Sequence, residues 1–119
     1  MTLLADKNQL KQVLINVLLN GFDSMIEKIK LNENKNEKLN MKIKTWKSEE
    51  NIYIQITDEG MGMTDEQIKK STEPFYTTKS GGTGLGLALS KQFVEENNGE
   101  MIIESEPQTY TKITLRFRR

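Results

Sequence analysis

The stretch Val13–Phe22, V-L-I-N-V-L-L-N-G-F, decides how the rest of the chain is understood. Only Asn16 and Asn20 are polar in it, so it is apolar nearly all round and is expected to be mostly buried. It lies inside a longer amphipathic run, Leu10, Val13, Leu14, Val17, Leu18, Phe22, Met25 and Ile29, with the spacing of a helix. Asp6 is a good N-cap, and the pattern predicts a helix from about Lys7 to Lys30. Asparagine is a mediocre helix former, and a buried amide without a partner costs about 1–3 kcal/mol. The two asparagines lie one turn apart on one face, and Asp23 extends the stripe. They form either a solvated polar stripe or a group that meets a polar ligand. An amide oxygen is a hard donor, suited to completing a magnesium shell already built from phosphates and water.

Beyond this helix, Leu31–Asn40 is almost wholly asparagine, lysine and glutamate, a surface loop. Two strands are predicted at Met41–Trp46 and Ile52–Thr57. In the second, Ile52, Ile54 and Ile56 alternate with Tyr53, Gln55 and Thr57, so that one face packs. Thr64 can cap a short helix over Asp65–Lys70. Ser71–Thr83 has no periodicity and holds Pro74, Gly81 and Gly82, the signature of a loop. A third helix is predicted over Gly84–Asn97, stopped by Asn98-Gly99. The chain ends as a hairpin, Glu100–Ser105 and Thr111–Phe117, turning at Glu106-Pro107-Gln108. This order predicts an α+β fold, a two-layer sandwich with helices on one face of a mixed, mostly antiparallel sheet.

At 119 residues the chain has the length of one domain, spanning 1–119, and its 29% charged content is that of an ordinary folded protein. Lysine plus arginine equal aspartate plus glutamate at 17 each, so no general pull toward nucleic acid or a membrane surface is expected. There is no cysteine, which excludes disulfide frameworks and thiol catalysis. There is no histidine either, so no phosphohistidine can form on this chain and no imidazole can act as its base. No apolar run approaches the ~20 residues that cross a bilayer, and the start lacks signal-peptide character, so a cytoplasmic location is expected.

Two further segments carry candidate chemistry. Asp58-Glu59-Gly60-Met61-Gly62-Met63 closes the Ile52–Thr57 strand with a carboxylate that can accept from an exocyclic amino group. Two glycines there let a ring approach the backbone, although an isolated D-x-G is as readily an Asx-turn. Gly81-Gly82-Thr83-Gly84-Leu85-Gly86-Leu87 runs into the third helix, where backbone N–H groups and a helix N-terminus suit an anion. It is neither a Walker loop nor a dinucleotide fingerprint, because no G-K-[ST] follows and no strand precedes it. Before it, Pro74-Phe75-Tyr76-Thr77-Thr78-Lys79 offers two hydroxyls and a cation.

In order and spacing these segments resemble the signature boxes of histidine kinase catalytic domains, of the superfamily shared with gyrase, heat-shock chaperones and mismatch-repair ATPases. D-K-N-Q-L-K-Q-V-L-I-N-V-L-L-N-G-F-D resembles the N box, and D-E-G-M-G-M the first glycine box. P-F-Y-T-T-K resembles the F box, and G-G-T-G-L-G-L the second glycine box. One such box is common by chance, whereas four in register are highly specific. The wording F-Y-T-T-K is most similar to the sporulation-kinase and nitrogen-regulator kinase branch.

The resemblance implies that the chain binds ATP and Mg2+ and donates the γ-phosphoryl group to a histidine on a separate dimerisation and phosphoacceptor domain. A response regulator would act downstream, and the isolated domain would be a monomer with no nucleic-acid or direct membrane contact. The parent kinase could be either anchored in a membrane or free of one. It implies catalytic roles for Asn16, at the phosphates, and Asn20, as the metal ligand, with Asp23 beside them. Asp58 would take the adenine amino group, with Gly60, Gly62 and Met63 lining the base and Thr111 near it. Thr77, Thr78 and Lys79 would belong to a lid, and Gly82, Thr83, Gly84, Leu85, Gly86 and Leu87 would hold phosphates.

Some positions depart from the family pattern. Gly21 replaces the usual alanine after the metal asparagine, lowering helix stability by about 1 kcal/mol but leaving room for a ligand. Tyr110 stands where a glycine usually precedes the threonine. The opening strand is barely present, ending at Leu3-Leu4, so the first strand is expected to be truncated. In hydrolytic relatives a glutamate at position 16 would activate water, and Asn16 lacks that basicity. The alternatives are a nucleotide-binding module without transfer activity and an ATPase domain of the chaperone or gyrase type.

Overall fold

Asp6 caps the first helix, α1 (Lys7–Leu31), its side chain accepting from the Gln9 backbone N–H at 2.9 Å. The computed structural model describes residues 6–32, 38–73 and 86–119. Along the chain follow β1 (Met41–Lys47), β2 (Asn51–Asp58), α2 (Asp65–Ser71), α3 (Gly86–Glu96), β3 (Gly99–Glu106) and β4 (Tyr110–Arg118). Thr64 starts α2 with a full capping box: its side chain accepts from Gln67 N–H, and the Gln67 side chain accepts from Thr64 N–H. Past the end of α3, Asn98 takes a left-handed φ of 60°, a conformation asparagine tolerates, and the chain turns into β3.

The strands form one sheet in the order β1-β2-β4-β3. Every pairing among the described residues is antiparallel, and the expected opening strand at Leu3-Leu4 lies outside them. The alternation along β2 works as its sequence predicts. Ile52 and Ile56 are buried on the helical side, while Tyr53 stacks on Trp46 of β1 across the other face, 4.9 Å between ring centroids. Val13 and Val17 of α1 and Val94 of α3 meet Ile56, Ile113, Leu115 and Phe117 to form the core. Leu115, at 0% exposure, stands near the middle of β4, which has a strand on both sides.

The stretch Val13–Phe22 is not buried all round. Val13, Val17, Gly21 and Met25 face inward, but Ile15, Leu19 and Phe22 are exposed, Leu19 by 54%. The sheet covers one side of α1 and α3 packs along another, so the apolar side chains opposite the sheet remain outside.

Candidate functional site

α1 is the element on which the expected site residues converge, because its polar flank faces α3 and its next turn faces the end of β2. Asn16 Nδ2 lies 3.4 Å from the hydroxyl of Ser90, and Asn16 Oδ1 accepts from Gln12 Nε2 at 3.1 Å. Ser90 is fully buried on α3, one turn beyond Gly86. A Cβ on Gly86 would stand 3.7 Å from Asn20 Nδ2. Small residues one turn apart on α3 thus let its first turns close onto both asparagines.

Immediately after Asn20, Gly21 faces Asp58. A Cβ at Gly21 would come within 3.2 Å of the Asp58 Cβ and 2.5 Å of the Met41 methyl. The room that glycine leaves is therefore occupied by Asp58 and Met41, where the sequence suggested space for a ligand. Asp58 ends β2 with 6% exposure, and its Oδ1 accepts from Gly60 N–H at 3.0 Å, so the Asx-turn that D-x-G allows is present.

Three hydrogen bonds clamp the turn that follows. Ser24 of α1 accepts from Met61 N–H at 2.8 Å, and any Cβ on Gly60 would overlap the Ser24 hydroxyl. Gly62, with φ of 66°, passes over the backbone carbonyl of Glu106. Met63 N–H donates to Ser105 Oγ at 2.8 Å, and Gln108 N–H donates to the Met61 carbonyl. Residues 59–63 are thereby held between α1 and the β3–β4 hairpin.

Strand register brings Thr111 into the same place. It pairs with Asp58 on one side and Ser105 on the other, is 7% exposed, and has its Oγ1 2.9 Å from Ser105 Oγ. Asp58, Thr111 and Ser105 form a polar row across one end of the sheet. Asp23 is exposed on α1, and Leu87 is half-buried with its side chain packed against the core. Thr77, Thr78, Lys79, Gly82, Thr83, Gly84 and Leu85 lie outside the described residues. Among the described residues no group of three or more His, Cys, Asp or Glu side chains could hold a metal ion.

Ser24, Ser90 and Ser105, which hydrogen-bond to Met61, Asn16 and Met63, lie outside the residues that the motifs single out. Ser24 had a signal, since it continues the four-residue spacing of Asn16 and Asn20. Ser105 had none, because only strand register sets it beside Thr111.

Residues 5–119 match the family described as histidine kinase-, DNA gyrase B- and HSP90-like ATPases. The chain belongs to that family. Sporulation kinase E of Bacillus subtilis (strain 168) is 40% identical over 116 residues, covering 96% of this chain and 14% of that protein. The signal transduction histidine-protein kinase AtoS of Escherichia coli (strain K12) is 37% identical over 112 residues, 93% of this chain and 17% of that protein. The chain therefore spans a minor part of these relatives' length. Among solved structures, the catalytic domain of histidine kinase ThkA superposes with a TM-score of 0.76 at 26% identity, over 96% of this chain and 68% of that one. The mycobacterial sensor histidine kinase MprB gives 0.79 over 98% and 76%, at 20% identity, a likeness of fold.

The sporulation-kinase resemblance of the F-box segment agrees with these relatives, and the helices-on-sheet architecture is that of histidine kinase catalytic domains. As in the sequence, no helix among the described residues of this family member is long and apolar enough to cross a membrane.

Proposed function

We propose that the chain is the catalytic domain of a two-component sensor kinase, which binds Mg-ATP and donates the γ-phosphoryl group to a histidine on a separate dimerisation and phosphoacceptor domain. The observation that carries this is the arrangement along α1: Asn16 and Asn20 lie against the first turns of α3, and Gly21 and Ser24 of the same helix support the Asp58–Met63 turn. One helix thus links an end suited to phosphates with an end suited to a base. Gly86 and Leu87 would offer backbone N–H groups to phosphate oxygens, with Asn16 beside them. Asp58 would accept from the amino group of adenine, with Gly60, Gly62, Met63 and Thr111 around the ring.

Asn20 fits a magnesium ion by the chemistry of its donor, a hard carboxamide oxygen, with phosphates and water supplying the other ligands and Asp23 on the same flank. When bound, the ion neutralises charge on the phosphates. The chain's own residues position rather than activate, because the Asn16 amide cannot serve as a general base for water. The terminal P–O bond to ADP would break as a P–N bond forms on an imidazole. That imidazole must come from elsewhere, since the chain has no histidine. A response regulator would then take the phosphoryl group from it.

Calorimetric titration with a non-hydrolysable ATP analogue, with and without Mg2+, tests the binding half. Affinity should fall when the metal is withheld, and Asn20→Ala should lose the metal dependence. No binding by folded wild type would withdraw the proposal. Adding a histidine-bearing acceptor domain and labelled ATP should yield acid-labile phosphoprotein, and failure of transfer despite binding would favour a non-transferring module.

A further inference from the structure

α1 carries two apolar faces, and the fold covers one of them. Val13, Val17 and Met25 are buried on the inner side, whereas Ile15, Leu19, Phe22 and Ile26 stand 43%, 54%, 49% and 50% exposed. The exposed four are not scattered. They are separated by four, three and four residues, the spacing of a coiled-coil seam, and form one row about 16 Å long on the outer side of the helix. A helix that is apolar on opposite sides is suited to a partner on each. At about half exposure each, the four leave roughly 400 Å² of apolar surface, the size of patch that marks an interaction site on a single molecule.

What covers the row follows from its spacing. Knobs at intervals of four, three and four fit the holes between the side chains of another helix. The intervals also read the same in both directions. A second α1 laid antiparallel across the row therefore matches it residue for residue. Ile15 meets Ile26 of the second copy and Leu19 meets its Phe22, each contact made twice about a two-fold axis. In that register no like charges meet beside the seam, since Asp23 comes next to Asn16 of the second copy and Lys11 next to its Asn32. Two rows bury about 800 Å² of apolar surface, and with their polar flanks the contact reaches the lower end of specific interfaces. We infer that this chain forms a two-fold dimer through the outer face of α1, helix antiparallel on helix. Its size puts the contact in the weak, reversible class, and it departs from the monomer that the family resemblance implies. It does not depend on the nucleotide function proposed above.

Sedimentation equilibrium of the 119-residue chain, from dilute solution to about 1 mM, measures this directly. The mass should rise reversibly from 13.7 kDa to twice that value and no further. Leu19→Glu should weaken the dimer at least about tenfold, because it sets a carboxylate against a phenyl ring at two places in each dimer. Ile15→Glu makes the same test at the end of the row. Both positions are exposed, so the urea midpoint of the dilute variants should stay at that of wild type. Phe22→Lys should also weaken self-association. Mixing it with Leu19→Glu should restore pairing, since the register sets position 19 of one copy against position 22 of the other. A mass fixed at 13.7 kDa at every concentration would overturn the inference. So would a dimer that Leu19→Glu and Ile15→Glu leave intact, or growth beyond the dimer, each of which places the contact elsewhere. Failure of the mixture to pair would overturn the antiparallel register.

Discussion

Replacing Gly62 with alanine should weaken the fold well beyond the cost of an ordinary surface change. At its φ of 66° any other L-residue is penalised by about 1–2 kcal/mol. The new Cβ would also overlap the Glu106 carbonyl oxygen and stand 2.7 Å from its carbonyl carbon and 3.0 Å from the Pro107 Cα. These are backbone atoms of the β3–β4 turn, so relief requires the 59–63 turn and the hairpin to separate. Separation breaks the Gln108 N–H to Met61 carbonyl bond and the Met63 N–H to Ser105 bond, each worth about 0.5–1.5 kcal/mol net. The sum is about 2–5 kcal/mol, against roughly 6–18 kcal/mol for a domain of this size. With a urea slope near 2 kcal/mol/M, the unfolding midpoint should drop by about 1–2.5 M. Equilibrium urea melts followed by circular dichroism measure this directly. A drop smaller than about 0.3 M, with an unchanged slope, would refute the argument that the hairpin backbone excludes a side chain at this position.

Two stability predictions accompany it. Thr64→Ala removes one half of the capping box at α2 and should cost about 1 kcal/mol, read from the same urea melts; no change would mean that α2 is held by its packing alone. Leu115→Ala empties a fully buried site at the centre of the core and should cost about 2–5 kcal/mol, and a loss under about 1 kcal/mol would contradict the described packing.

Much of the fold is legible in the sequence because its signals are local. Asp6 and Thr64 act as caps through their own side chains, and the alternation of Ile52, Ile54 and Ile56 reports a sheet with one covered face. Asn98-Gly99 stops a helix for a conformational reason confined to two residues. The four boxes in order also mark the family, since each is a short run of residues. Even the placing of Asn16 and Asn20 on one flank of α1 needs only helical geometry.

What faces each of these residues is another matter, settled by tertiary structure. Periodicity made Val13–Phe22 apolar nearly all round, but only packing decides that Leu19 is exposed while Val17 is buried. Glycine at position 21 suggested open space, and the approach of Met41 and Asp58 fills it. Ser105 has no neighbours in sequence that hint at a role; the antiparallel register puts it beside Thr111, and the fold brings Met63 to its hydroxyl. The physical reason is the same in each case. Caps, turns and alternation depend on a few consecutive residues, whereas burial, excluded space and the partners of a hydroxyl depend on atoms that arrive from distant parts of the chain.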